Sequence, residues 1–133
     1  MKKTIQYLLL ISLSLLLLIS PVYANDARWT NASDIIISHG YHNGVAECYV
    51  YIDCYTGATV TNVDIYFDMY TSDGWVAVSQ WTGLSGSNSF SFLEFVPIDN
   101  PTTTYRLSIA AEVTKNGVTE IIEKYKNVVY SEN

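Results

Sequence analysis

Tyr105, Leu107, Ile109, Ala111 and Val113 alternate with Arg106, Ser108, Ala110 and Glu112. A period of two puts all five on one side of a pleated strand, whereas a helix would scatter them around its circumference. Val63, Ile65, Phe67 and Met69 repeat the pattern against Asp64, Tyr66, Asp68 and Tyr70. Asn43-Gly44, Asp73-Gly74 and Asn116-Gly117 punctuate it, and their tolerance of left-handed backbone favours tight hairpins. No segment after residue 33 takes a helical period. The spacing predicts strands over Asp34–His42, Val45–Cys54, Val63–Thr71, Trp75–Thr82, Ser89–Val96, a run around Tyr105–Val113, and Val118 to about Tyr130. The Gly/Ser-rich stretch Gly83–Asn88 reads as a loop, and a slip of alternation near Leu93 and Glu94 reads as a β-bulge. Seven short antiparallel strands with turns every 8–12 residues or so predict an all-β, two-sheet sandwich.

The first residues follow a different rule. Lys2 and Lys3 precede an apolar run from Tyr7 to Ile19 broken by Pro21, and Val22 and Ala24 suit the −3 and −1 positions of a signal peptidase site. The expected organisation is a signal peptide over 1–24, an N-terminal segment over 25–33 anchored by Trp29, and the sandwich over 34–133. The run is shorter than the roughly 20 residues a bilayer span needs, so the expected product is secreted, with no membrane span in the mature protein.

Removing 24 of the 133 residues leaves 109, enough for one hydrophobic core and not for two domains. Without Lys2 and Lys3, five basic residues face thirteen acidic ones, a formal charge of −8. Arg28, Arg106, Lys115, Lys124 and Lys126 are too scattered among carboxylates to displace counterions from phosphates, which excludes nucleic acid as a partner.

Thr104-Tyr105-Arg106-Leu107-Ser108-Ile109-Ala110-Ala111 is similar to the sixth strand of immunoglobulin-like and fibronectin type III-like domains, where a tyrosine opens the strand near a corner. Ala27-Arg28-Trp29, Gly44-Val45-Ala46-Glu47-Cys48, the Trp75 and Trp81 pair, and Thr104-Tyr105-Arg106-Leu107 with Asn116-Gly117 together resemble a family of small exported proteins of Gram-positive bacteria. The resemblance covers most of the mature chain and implies an immunoglobulin-like sandwich, with no particular activity.

Nothing points to catalysis. No Gly-x-Ser-x-Gly elbow, phosphate loop or metalloprotease motif occurs. His39 and Cys48 form an expected cross-strand pair without a third metal ligand, since His42 faces the other way, and no carboxylate is placed to orient a Cys–His couple. The expected assignment is therefore a non-enzyme without cofactor or metal. Cys48 and Cys54 sit on one face of one strand, on the order of 20 Å apart if it is continuous, beyond the roughly 7 Å that a disulfide tolerates. Two buried thiols are the favoured outcome; a sharp reversal at Cys54 would permit a bridge, and pairing between molecules is the third possibility.

The second hairpin offers the one suggestive surface. If Asp73-Gly74 is its two-residue turn, Tyr66 lies opposite Trp81, Tyr70 opposite Ala77 and Asp68 opposite Ser79, with Trp75 at the tip. Tyr66, Tyr70, Trp75 and Trp81 around Asp68 would then share the outer face. Aromatic faces interleaved with carboxyl and hydroxyl groups suit sugar rings and protein contacts alike. The expected function is a binding domain that recognises an extracellular glycan or protein through this face. The alternative is a secreted antagonistic or envelope protein that self-associates through a strand edge.

Overall fold

The computed structural model describes residues 29–130, so the expected signal peptide lies outside the described residues. Seven strands follow in order: β1 Ala32–His42, β2 Val45–Cys54, β3 Thr59–Thr71, β4 Gly74–Ser87, β5 Ser89–Pro97, β6 Thr104–Lys115 and β7 Val118–Val129. All hydrogen-bonded neighbours are antiparallel, in one sheet of order β1-β2-β5 and another of order β4-β3-β6-β7. The chain is an all-β sandwich of the immunoglobulin-like kind. Its fourth strand extends the sheet of β3, β6 and β7, where constant-type immunoglobulin domains place it with the first two strands.

Residue alternation produces the core directly. Ala46, Cys48, Val50 and Ile52 of β2 meet Val63, Ile65 and Phe67 of β3 and Leu107, Ile109 and Val113 of β6, all buried between the sheets. An aromatic column fills one end. Phe67 stacks on Tyr105 with centroids 5.2 Å apart, Tyr105 on Tyr130 at 5.1 Å, and Tyr130 on Tyr41 at 5.4 Å. The Tyr105 hydroxyl donates to the Asn100 carbonyl oxygen at 2.6 Å, five residues upstream. This is the tyrosine corner expected of the sixth strand.

The first hairpin has the register that its Asn43-Gly44 turn dictates, with Ile35 opposite Ile52, Ile37 opposite Val50 and His39 opposite Cys48. The second hairpin does not. Ser72 and Asp73 form its loop, and Gly74, at φ 105°, opens β4 opposite Thr71. Tyr70 consequently faces Trp75 and Asp68 faces Ala77. A further residue is then inserted on β4 around Val78, so Phe67 faces Ser79, Tyr66 faces Gln80 and Ile65 faces Trp81. One inserted residue reverses the side to which the side chains after it point, until the register shifts again between Ile65 and Val63. Val76 and Val78, expected on the buried side of this hairpin, are exposed on the edge strand.

Two other expectations change. Gly83–Ser87 is a continuation of β4, paired to Thr59 and Val60, rather than a loop. The sheet switch instead occurs at Asn88, in left-handed conformation at φ 61°, which bonds through its backbone to Cys54 and Ala58. The chain folds back so tightly there that a Cβ on Gly86 would lie 2.3 Å from the Ser89 carbonyl oxygen. At Leu93 and Glu94 there is no bulge, because β5 pairs with β2 in one uninterrupted register. The apparent slip arises because Glu94 occupies an inward-phase position on an edge strand and reaches solvent, while Leu93 and Phe95 face outward. A charge at such a position discourages pairing with a further strand.

Candidate functional site

The outer face of β4-β3-β6-β7 is built in cross-strand rows. Gln80, Tyr66, Ser108 and Tyr125 form one row, and Ala77, Asp68, Arg106 and Asn127 the next. Tyr70 and Trp75 pair beyond them at the hairpin end, with ring centroids 5.1 Å apart and edge-to-face. The Arg106 guanidinium lies 4.2 Å from the Trp75 ring centroid and donates to the Asp68 carboxylate at 2.9 Å. Arg106 thus joins the aromatic pair at the tip to the middle of the sheet.

The small residues of β6 matter as much as the large ones. Ser108 and Ala110 form a low floor between Tyr66 on β3 and Tyr125 on β7, two strand spacings or about 10 Å apart in backbone. The result is a trough of about 410 Å³ walled by Tyr66, Tyr125 and Glu123, with Arg106 at one end. Tyr125 is 66% exposed.

Of the residues expected to share this face, Tyr66, Tyr70, Trp75 and Asp68 do so. Trp81 does not. The insertion in β4 turns it toward the core, where its ring meets Phe92 edge-to-face at 4.8 Å. Asp68 is buried and ion-paired, not an open carboxylate. Arg106 and Tyr125 belong to the face and were missed. Ser108 opposite Tyr125 follows from the Asn116-Gly117 turn by counting, and the sequence therefore held that pair. Placing it beside Tyr66 needs the β3–β6 contact, which no local signal encodes.

The histidine and cysteines form a separate, buried group. His39 Nε2 donates to the Lys126 carbonyl oxygen at 2.9 Å, leaving Nδ1 to accept from the Tyr130 hydroxyl. Both ring nitrogens are occupied, and burial holds the imidazole below its ordinary pKa. Cys48 and Cys54 are both free and buried on the inner face of β2. Burial, reinforced by Glu47 and Glu94, pushes the Cys48 thiol up to about 12, which disfavours the nucleophilic thiolate. Among the described residues no group of three or more His, Cys, Asp or Glu side chains is arranged to hold a metal ion.

No helix among the described residues is long and apolar enough to cross a membrane. No protein-family model matches the chain, and no curated protein matches it in sequence.

Proposed function

We propose that the protein is an exported, non-catalytic binding domain that recognises an extracellular glycan through the outer face of β4-β3-β6-β7. The observation that carries this reading is the trough between Tyr66 and Tyr125 over Ser108 and Ala110. A pyranose ring offers flat C–H faces to aromatic walls and hydroxyls to the surrounding polar groups, and Ser108 and Glu123 provide those groups. Arg106 supports the reading by fixing Trp75 and Asp68 beforehand, which lowers the ordering cost of binding.

Self-association through the β7 edge draws less support. The β7 carbonyls of Val118 and Lys126 are held by Asn31 Nδ2 and His39, and Lys124 Nζ donates to the Ile35 carbonyl oxygen of β1 at 2.6 Å. That seam between the sheets is closed by side chains. The test is a glycan array, with a pull-down from cell-envelope material, using the parent and the Tyr66→Ala, Trp75→Ala and Tyr125→Ala variants. Array binding that weakens in all three is expected. Undiminished binding by folded variants would refute the role of the face, and a blank array with an envelope protein captured through the same residues would replace the glycan with a protein surface.

A further inference from the structure

The opposite outer face, that of β1-β2-β5, differs in charge. The sequence contains no lysine or arginine between Arg28 and Arg106, so this face carries Asp34, Glu47 and Asp53 with no lysine or arginine on its own strands. Its rows are apolar and aromatic: Ile36, Tyr51 and Ser91, then Ser38, Tyr49 and Leu93, then Gly40, Glu47 and Phe95. Leu93 is 49% and Phe95 60% exposed. Gly40 leaves the last row without a side chain over β1, and a groove of about 660 Å³ opens there beside His42, Val45, Glu47 and Phe95.

We propose that this face docks a basic, partly apolar peptide segment of a partner protein, with a lysine or arginine side chain entering the groove over Gly40. Glu47 supplies the counter-charge and Phe95 an aromatic face for the cation, while Leu93 and Tyr49 in the adjoining row meet the segment's apolar residues. Two copies meeting symmetrically through this face would set like charges against each other, which favours a basic partner over a second copy.

The experiment is calorimetric titration of the purified protein with a short amidated peptide of alternating lysine and leucine, and with its glutamate-for-lysine counterpart. The lysine peptide should bind, more weakly as salt rises, and the glutamate peptide should not. Gly40→Val is the decisive variant. A Cβ at Gly40 meets nothing within 4 Å and its φ is not left-handed, so the substitution fills the groove without straining the strand. Gly40→Val, Phe95→Ala and Glu47→Gln should each weaken the peptide about tenfold, while Tyr66→Ala on the other sheet leaves it unchanged. Equal affinity for both peptides, full affinity in Gly40→Val, or loss in Tyr66→Ala would overturn the proposal. A dimer in sedimentation that Gly40→Val abolishes would also overturn it, in favour of a second copy.

Discussion

The two outward faces of the sandwich are built from the same pleat, yet they use charge in opposite ways. On the four-stranded sheet, Arg106 is consumed internally: it sits over Trp75, bonds Asp68 and leaves a pre-arranged aromatic surface. On the three-stranded sheet Glu47 has no cation in its own sheet, and Phe95 beside it lies open. A face whose charges are already paired can offer shape and ring surface, whereas a face with unpaired carboxylates selects by charge. The difference comes from where basic residues fall in the chain, since all four of the described ones lie on β6 and β7.

Both faces depend on one core, so the largest expected effect tests that shared support. Phe67 is fully buried, stacked on Tyr105 and touched edge-on by His39. Phe67→Ala should cost about 3–5 kcal/mol in a denaturant titration, and a loss below about 1 kcal/mol would show that the inward side is misassigned. The two tryptophans of β4 come next. Trp81, partly buried against Phe92, should cost about 2–3 kcal/mol when replaced by alanine, less than a fully buried ring. Trp75→Ala should cost about 1 kcal/mol or less while weakening glycan binding. Equal melting temperatures for the two variants would erase the distinction between inner and outer sides of β4.

Those tryptophans also mark where sequence reasoning reaches its limit. In β1–β2 the turn dipeptide and the alternation agree from end to end, and the register follows by counting. In β3–β4 the loop moves one position to Ser72–Asp73, Asn62 at φ 49° coincides with a break in β3's pairing to both neighbours, and β4 carries its own insertion. Val76-Ala77-Val78-Ser79 has no residue that signals an insertion, because small and β-branched side chains fit either side of an exposed edge strand. Trp81 was therefore unreadable, while Tyr70 and Trp75 survived because the first part of the shift moved partners by two and preserved their side, and Tyr66 because the insertion lies on β4 and leaves the alternation of β3 intact there. Arg106 was visible only as a polar position in the clearest strand of the chain. Its meeting with Asp68 depends on a strand 38 residues earlier in sequence, and long-range pairing of that kind leaves no local mark.

Charge removal distinguishes the two faces more finely. Arg106→Ala leaves the mostly buried Asp68 carboxylate without its partner, and should cost about 1–3 kcal/mol, reduced from the value for a deeply buried pair because the guanidinium is partly solvated. Glu47→Gln removes an outward charge with no partner in its own sheet and should change stability by no more than about 0.5 kcal/mol. Thermal melts of the two variants at the same pH check this. A larger loss for Glu47→Gln than for Arg106→Ala would mean that the three-stranded face is the internally paired one.

The smallest expected effect lies at the seam that holds the two sheets in place, where His39 of β1 bonds Tyr130 and the Lys126 backbone of β7. Burial lowers the His39 pKa in the folded protein, and the nearby Lys126 ammonium acts in the same direction, while the bond to the Lys126 carbonyl opposes them. The unfolded chain consequently takes up a proton near pH 6.5, at a pH where the folded protein still keeps the ring neutral. The stability supplied by the neutral ring is complete above that pH and falls on acidification, with a slope that for one proton cannot exceed about 1.4 kcal/mol per pH unit. The melting temperature should therefore drop between pH 7 and pH 5. His39→Gln should lower stability at pH 7 and flatten the slope over the same interval, because it removes the titrating group while leaving an amide that can still donate or accept. An unchanged slope in His39→Gln would place the pH sensitivity outside the seam, which would then hold the sheets together without responding to acid.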